Sequence, residues 1–155
     1  MSEGAPVCRW VHQSTVLDVM PLDATILGFS NRWYGDAMKS ATLYPVSNEL
    51  SIRMITAPLF IATKFKAFKS RGKNDYFGSA DLEDIISVID GRETLLAEAQ
   101  MQEPDLRKYL RVEATKLLLK PQFIDALPGH LLPDSVSQAR VATVFRRLEE
   151  LARLP

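Results

Sequence analysis

Between Lys64 and Lys73 the chain carries Lys64, Lys66, Lys69, Arg71 and Lys73 with no acid. Between Asp75 and Asp90 it carries Asp75, Asp81, Glu83, Asp84 and Asp90 with no base. Clustered cations make a surface that holds phosphate, but an adjoining acidic segment can neutralise them through ion pairs. A third feature is Asp18, inside Thr15-Val16-Leu17-Asp18-Val19-Met20, where a carboxylate shares a strand face with Val16 and Met20. Acids are depleted in strands. Asp18 therefore reads either as a solvent-facing edge residue or as a site carboxylate that holds Mg²⁺ or acts as a general base.

These side chains need elements to position them. Val7–Val11 and Thr15–Met20 read as strands joined at His12-Gln13-Ser14, the second ending at Pro21. Arg32–Ser40 reads as a short helix, and Leu50–Ile55 as a strand with Leu50, Ile52 and Met54 on one face. Thr56 is placed to cap a helix that tolerates Pro58 in its first turn and runs to about Ser70, where Arg71-Gly72-Lys73-Asn74 breaks it. On that helix Phe60, Ile61, Phe65 and Phe68 form one apolar stripe. Lys64 falls inside it, whereas Lys66 and Lys69 do not. A lysine there must snorkel outward or meet an anion, and taken alone it reads as a partly covered surface lysine or a structural ion pair.

Ser79 or Asp81 starts a second helix through Ile89, with Gly91 as its stop. Asp81 and Asp84 fall in its first turn, where the helix dipole favours negative charge. Helical signals continue over Glu93–Met101, Glu103–Leu119, Phe123–Leu127 and Asp134–Leu151, with prolines 104, 121, 128 and 133 at the joints. A few strands followed by a helical body predict an α+β protein, or part of an α/β domain with a helical extension.

The 155 residues fit one ordinary domain, and 19 basic against 19 acidic residues leave no net charge. That excludes a uniformly basic nucleic-acid coat and a polyacidic tail. The lone Cys8 excludes an internal disulfide and lacks zinc-ligand spacing, which suits a reducing cytoplasm. No apolar run has the ~20 residues of a membrane span, and Met1 to Pro6 lacks a signal-peptide pattern. The expectation is a cytoplasmic protein with no membrane partner. His12 and His130 are isolated, and GxSxG, GxxxxGK[ST] and GxGxxG patterns are missing, which argues against a Ser hydrolase, a P-loop protein and a Rossmann protein.

Val16-Leu17-Asp18-Val19-Met20-Pro21, Leu27-Gly28-Phe29-Ser30-Asn31-Arg32-Trp33-Tyr34, Pro58 to Phe68, Arg71 to Tyr76 and Ser79 to Ile85 together resemble the AbiEii-type nucleotidyltransferases. These belong to the polymerase-beta-like nucleotidyltransferase superfamily and include toxins of bacterial toxin–antitoxin systems. The resemblance covers about residues 5 to 92. It implies a partial nucleotidyltransferase-like mixed sheet in residues 1–92 and a helical C-terminal region, residues 93–155, packed on it. It further implies Mg²⁺-dependent transfer of a nucleotide from an NTP to an RNA or protein hydroxyl. In these terms Asp18 is the separate strand carboxylate and metal ligand, Lys64 the phosphate-contacting lysine and Asp81 the late acid that orients it. Lys66, Lys69, Arg71 and Lys73 would assist in binding the nucleotide.

Family members carry a Gly-Gly or Gly-Ser helix start and an Asp-x-Asp pair ahead of the strand matched by Asp18. Here the 17 preceding residues hold one acid, Glu3. Two-metal phosphoryl transfer needs several carboxylates, so the expectation is an incomplete or degenerate member, or one completed by another chain. Two alternatives stand beside it. One is a noncatalytic module that dimerises or pairs with a partner, such as an antitoxin, through an open sheet edge. The other is a phosphate or RNA binder using the basic run.

Overall fold

The computed structural model describes residues 8–27, 30–72 and 74–155. Its first third is built from hairpins and short helices. Strands β1 (Arg9–His12) and β2 (Thr15–Asp18) pair antiparallel, with His12 opposite Thr15 and Arg9 opposite Asp18. The two-residue turn between them puts Gln13 at φ 53°, a left-handed conformation uncommon outside glycine. Helix α1 (Ala24–Leu27) and helix α2 (Tyr34–Ser40) follow, and then a second hairpin, β3 (Thr42–Pro45) with β4 (Ser51–Met54). Val7 lies outside the described residues, as do Gly28 and Phe29 of the family-like segment.

The protein is α+β, but its strands form two separate antiparallel pairs and no mixed sheet among the described residues. Every residue of the four strands is exposed. The alternation that assigns Leu50, Ile52 and Met54 to one face is therefore not used to bury them.

The helical body carries the core. Helix α3 (Ala57–Ser70) begins after Thr56, which has the extended backbone of a capping residue, although its hydroxyl caps nothing and is buried without a partner. Helix α4 (Ala80–Gly91) is capped by Ser79, whose Oγ accepts from the Leu82 N–H at 3.4 Å. Beyond it lie α5 (Leu95–Gln100), α6 (Pro104–Leu118), α7 (Pro121–Ala126), a 3₁₀ turn (Leu127–His130), α8 (Ser135–Ala139) and α9 (Val141–Leu151). The single helix expected over Asp134–Leu151 is two, joined at Arg140.

Ile61 and Phe65 of α3, Leu82, Ile85, Ile86 and Ile89 of α4, Leu110 of α6 and Leu148 of α9 are buried in one cluster. Each such side chain contributes ~1.5–3 kcal/mol relative to exposure. Because α3 packs on α6 and α4 on α9, residues 1–92 and 93–155 share this core. Trp33 and Ala37 bring the start and middle of α2 onto its edge. No helix among the described residues is long and apolar enough to cross a membrane.

Candidate functional site: an ion-pair seam between two helices

The turn after α3 decides how the basic and acidic runs meet. Arg71 closes the helix, its N–H bonding the Ala67 carbonyl, and Asn74 turns the chain at φ 57°. Asp75 Oδ1 then accepts from the N–H groups of Phe77 at 3.1 Å and Gly78 at 3.0 Å, leading into the Ser79 cap. Gly72 is required in this turn. A Cβ there would lie 2.6 Å from the Phe68 carbonyl oxygen and 3.1 Å from Ser79 Oγ.

This reversal lays the first turn of α4 against α3. Lys64 Nζ lies 3.3 Å from Asp81 Oδ1 and also bonds Asp84. Arg71 grips the same Asp81 with two hydrogen bonds, Nε to Oδ2 at 2.9 Å and Nη2 to Oδ1 at 2.7 Å. Asp81 is only 5% exposed. Burial works to raise its carboxyl pKa, but the hydrogen bonds and charges of Arg71 and Lys64 outweigh that and leave it below the ordinary carboxylate value. The Arg71 guanidinium is raised in turn, chiefly by its hydrogen bonds to Asp81. Two cations and two carboxylates thus form a closed, neutral group.

The other members of the basic run are dispersed. Lys69 Nζ lies 3.0 Å from Oε1 of Glu113 on α6, and Lys116 Nζ lies 3.0 Å from the same oxygen. Lys66 has no ion pair among the described residues and lines a cavity of about 260 Å³ with Tyr34 and Arg71. Lys73 lies outside the described residues. The basic decade is therefore not one continuous surface, because Lys64 and Arg71 turn to Asp81 of α4 while Lys69 turns to Glu113 of α6.

Asp18 stands apart from the Lys64–Asp81 contact. Both of its oxygens accept from Arg9, at 2.8 Å each, across the β1–β2 hairpin. The Arg9 hydrogen bonds lower its pKa, and the charge of Arg71 acts in the same direction at longer range. A Mg²⁺ ion does not fit this arrangement. The Asp18 oxygens are taken by a guanidinium, those of Asp81 by Arg71 and Lys64, and no group of three His, Cys, Asp or Glu residues converges among the described residues.

The resemblance has Asp81 orient Lys64, and the two are in contact, while Arg71, which it assigns to nucleotide binding, lies on Asp81. It also passes over Glu113, which sits with Leu110, Ala114 and Leu117 at the spacing of a buried helix face and is 4% exposed. A carboxylate on such a face signals a buried partner. What these features define is a class, an α+β protein with a helical body and two exposed hairpins. Comparison of the chain with family models, with curated proteins and with solved structures gives no match.

Proposed function

We propose that this chain is an interaction module whose two hairpins are covered by a second copy of itself. The observation that carries this reading is the exposure of large apolar residues on both hairpins. Trp10 is 68% and Leu43 74% exposed, and Val11, Val16, Leu17, Tyr44, Ile52 and Met54 are exposed with them. A two-stranded hairpin is marginal alone in water, and unpaired strand edges invite further strands. Zero net charge leaves no long-range repulsion between copies. The free Cys8 suits a reducing cytoplasm.

Light scattering tests this reading directly. The expected result is a dimer, converted to a monomer by Trp10→Lys together with Leu43→Lys. A clean monomer for the unchanged chain overturns the reading, and so does a dimer that ignores both substitutions. A monomer that associates only with a separate protein would transfer the surface to that partner, an antitoxin-like protein among the candidates.

One observation favours a second reading, a nucleotidyltransferase-like protein acting on NTP and an RNA or protein hydroxyl. The resemblance implies that Lys64 and Asp81 work together, and they are in contact, with the charge of Arg71 felt at Asp18. In that reading Lys64 is released from Asp81 toward the phosphates, and the carboxylates that share Mg²⁺ come from elsewhere. Labelled NTP and Mg²⁺ should then mark an acceptor, and Lys64→Ala or Asp81→Ala should abolish the mark. Labelling that survives both removes this assignment.

A further inference from the structure

We propose that the cleft between α3 and the α6–α7 junction binds a nucleoside phosphate. The cleft encloses about 680 Å³, within the range of ~300–1,000 Å³ typical of small-ligand sites. Its wall carries Lys69, Lys116 and Lys120 against one acid, Glu113, so the lining is net positive. Lys69 comes from α3 and Lys116 from α6, and they converge on the same buried carboxylate oxygen at 3.0 Å each. Glu113 fixes the two ammonium groups side by side. Each ammonium has three N–H donors and spends one on Glu113, which leaves donors from two helices for the oxygens of one phosphate group.

The remaining lining suits a flat ring beside that phosphate. Tyr76 borders the cleft, backed by Phe68 in an edge contact with ring centroids 5.4 Å apart. Its backbone carbonyl is held by His130 Nε2 at 2.7 Å, which steadies the segment that carries it. The amides of Asn74 and Gln122 supply donors and acceptors for the edge of a base. Cations, an aromatic ring and two amides in one lining match a phosphate, a base ring and its polar edge. This site is separate from the Lys64–Asp81 seam and, among the described residues, shares only Lys69 with those that the resemblance assigns to nucleotide binding.

Calorimetric titration of the whole chain with ATP, inorganic triphosphate and adenosine tests the proposal. ATP should bind with one site per chain, and triphosphate and adenosine should each bind at least tenfold more weakly, since each keeps half of the recognition. Lys116→Ala with Lys120→Ala should weaken ATP by roughly tenfold or more, as expected for charged hydrogen bonds. Tyr76→Leu should weaken ATP by about tenfold and leave triphosphate unchanged, as expected for loss of a stacking face. ATP binding abolished by Lys64→Ala but untouched by the lysine pair would place the nucleotide at the Lys64–Asp81 contact and overturn the proposal. As a measurement free of substitutions, ATP should protect Lys69, Lys116 and Lys120 from acetylation. Absence of ATP binding, ATP binding indifferent to the lysine pair, triphosphate bound as tightly as ATP, or acetylation of the three lysines unchanged by ATP would each overturn the proposal.

Discussion

Arg71 and Asp81 are joined by two parallel hydrogen bonds, 2.9 and 2.7 Å, that tie the last residue of one helix exit to the first turn of the next helix. The carboxylate is buried and the guanidinium lies largely in solvent. That asymmetry sets the energetics. Asp81 has lost its water and depends on Arg71 and Lys64, whereas Arg71 can return to water if the pair is broken.

Removing the acceptor should therefore differ from removing a donor. Asp81→Ala deletes the buried charge and strands Lys64 with Asp84 alone, whereas Arg71→Ala leaves Asp81 buried with only Lys64. We expect Arg71→Ala, which leaves a buried carboxylate under-paired, to lower stability by ~2 kcal/mol and Asp81→Ala to lower it by less, with the double variant losing much less than the sum. Urea unfolding of the four proteins gives the coupling, and strict additivity would show that the two groups act independently.

The same seam should be sensitive to acid. The folded pKa of Asp81 lies below the ordinary aspartate value of 3.8. Its stabilisation is therefore complete above that value and is lost as pH falls through the lower folded pKa. Stability measured on descending pH should drop more steeply in the unchanged chain than in Asp81→Asn. Equal slopes in that window would mean that Asp81 is not held by cations in the folded chain.

Much of this seam is legible in the sequence. The apolar stripe around Lys64, Pro58 in the first turn and the Gly72 break define α3 closely, and Ser79 ahead of an acidic first turn defines α4. Other features are set by tertiary contacts that no periodicity carries. The joint at Arg140 is one, where the backbone tightens at ψ −10° and the Arg140 side chain pairs with Asp90 of α4 at 3.2 Å. Strand β3 is another, since Thr42–Pro45 is short, contains a proline and does not alternate. The Arg9–Asp18 pair requires the hairpin register, and that depends on Gln13 adopting a positive φ.

Gly72 offers a local test of the turn that builds the seam. A methyl group placed there meets backbone atoms of Phe68, which cannot swing aside as a flexible side chain would. Gly72→Ala should cost about 1–3 kcal/mol, the range for overpacked sites. Thermal unfolding checks this, and an unchanged midpoint would show that the turn has room to shift.

Tyr109 gives a prediction of opposite sign. Its ring packs on Trp33 with centroids 5.1 Å apart, and the guanidinium of Arg32 lies 4.1 Å from the Trp33 ring centroid. Burial first, and the charge of Glu113 second, push the Tyr109 phenol up to about 12. The Trp33 indole N–H is near enough to favour the phenolate slightly, yet the geometry falls short of a hydrogen bond, so both polar groups count as buried and unpaired. Tyr109→Phe keeps the ring and removes a buried hydroxyl without a partner, which should raise stability by up to ~1 kcal/mol at neutral pH. A phenol raised in the folded state stabilises fully below its unfolded value of 10.0, and that contribution is lost as pH rises through the folded value. The advantage of Tyr109→Phe should therefore grow between these two values, and taking the difference from the unchanged chain cancels the titration of the lysines. A loss of stability in Tyr109→Phe at neutral pH would mean that the hydroxyl has a partner, and the gap between Trp33 and Tyr109 is where to look for it.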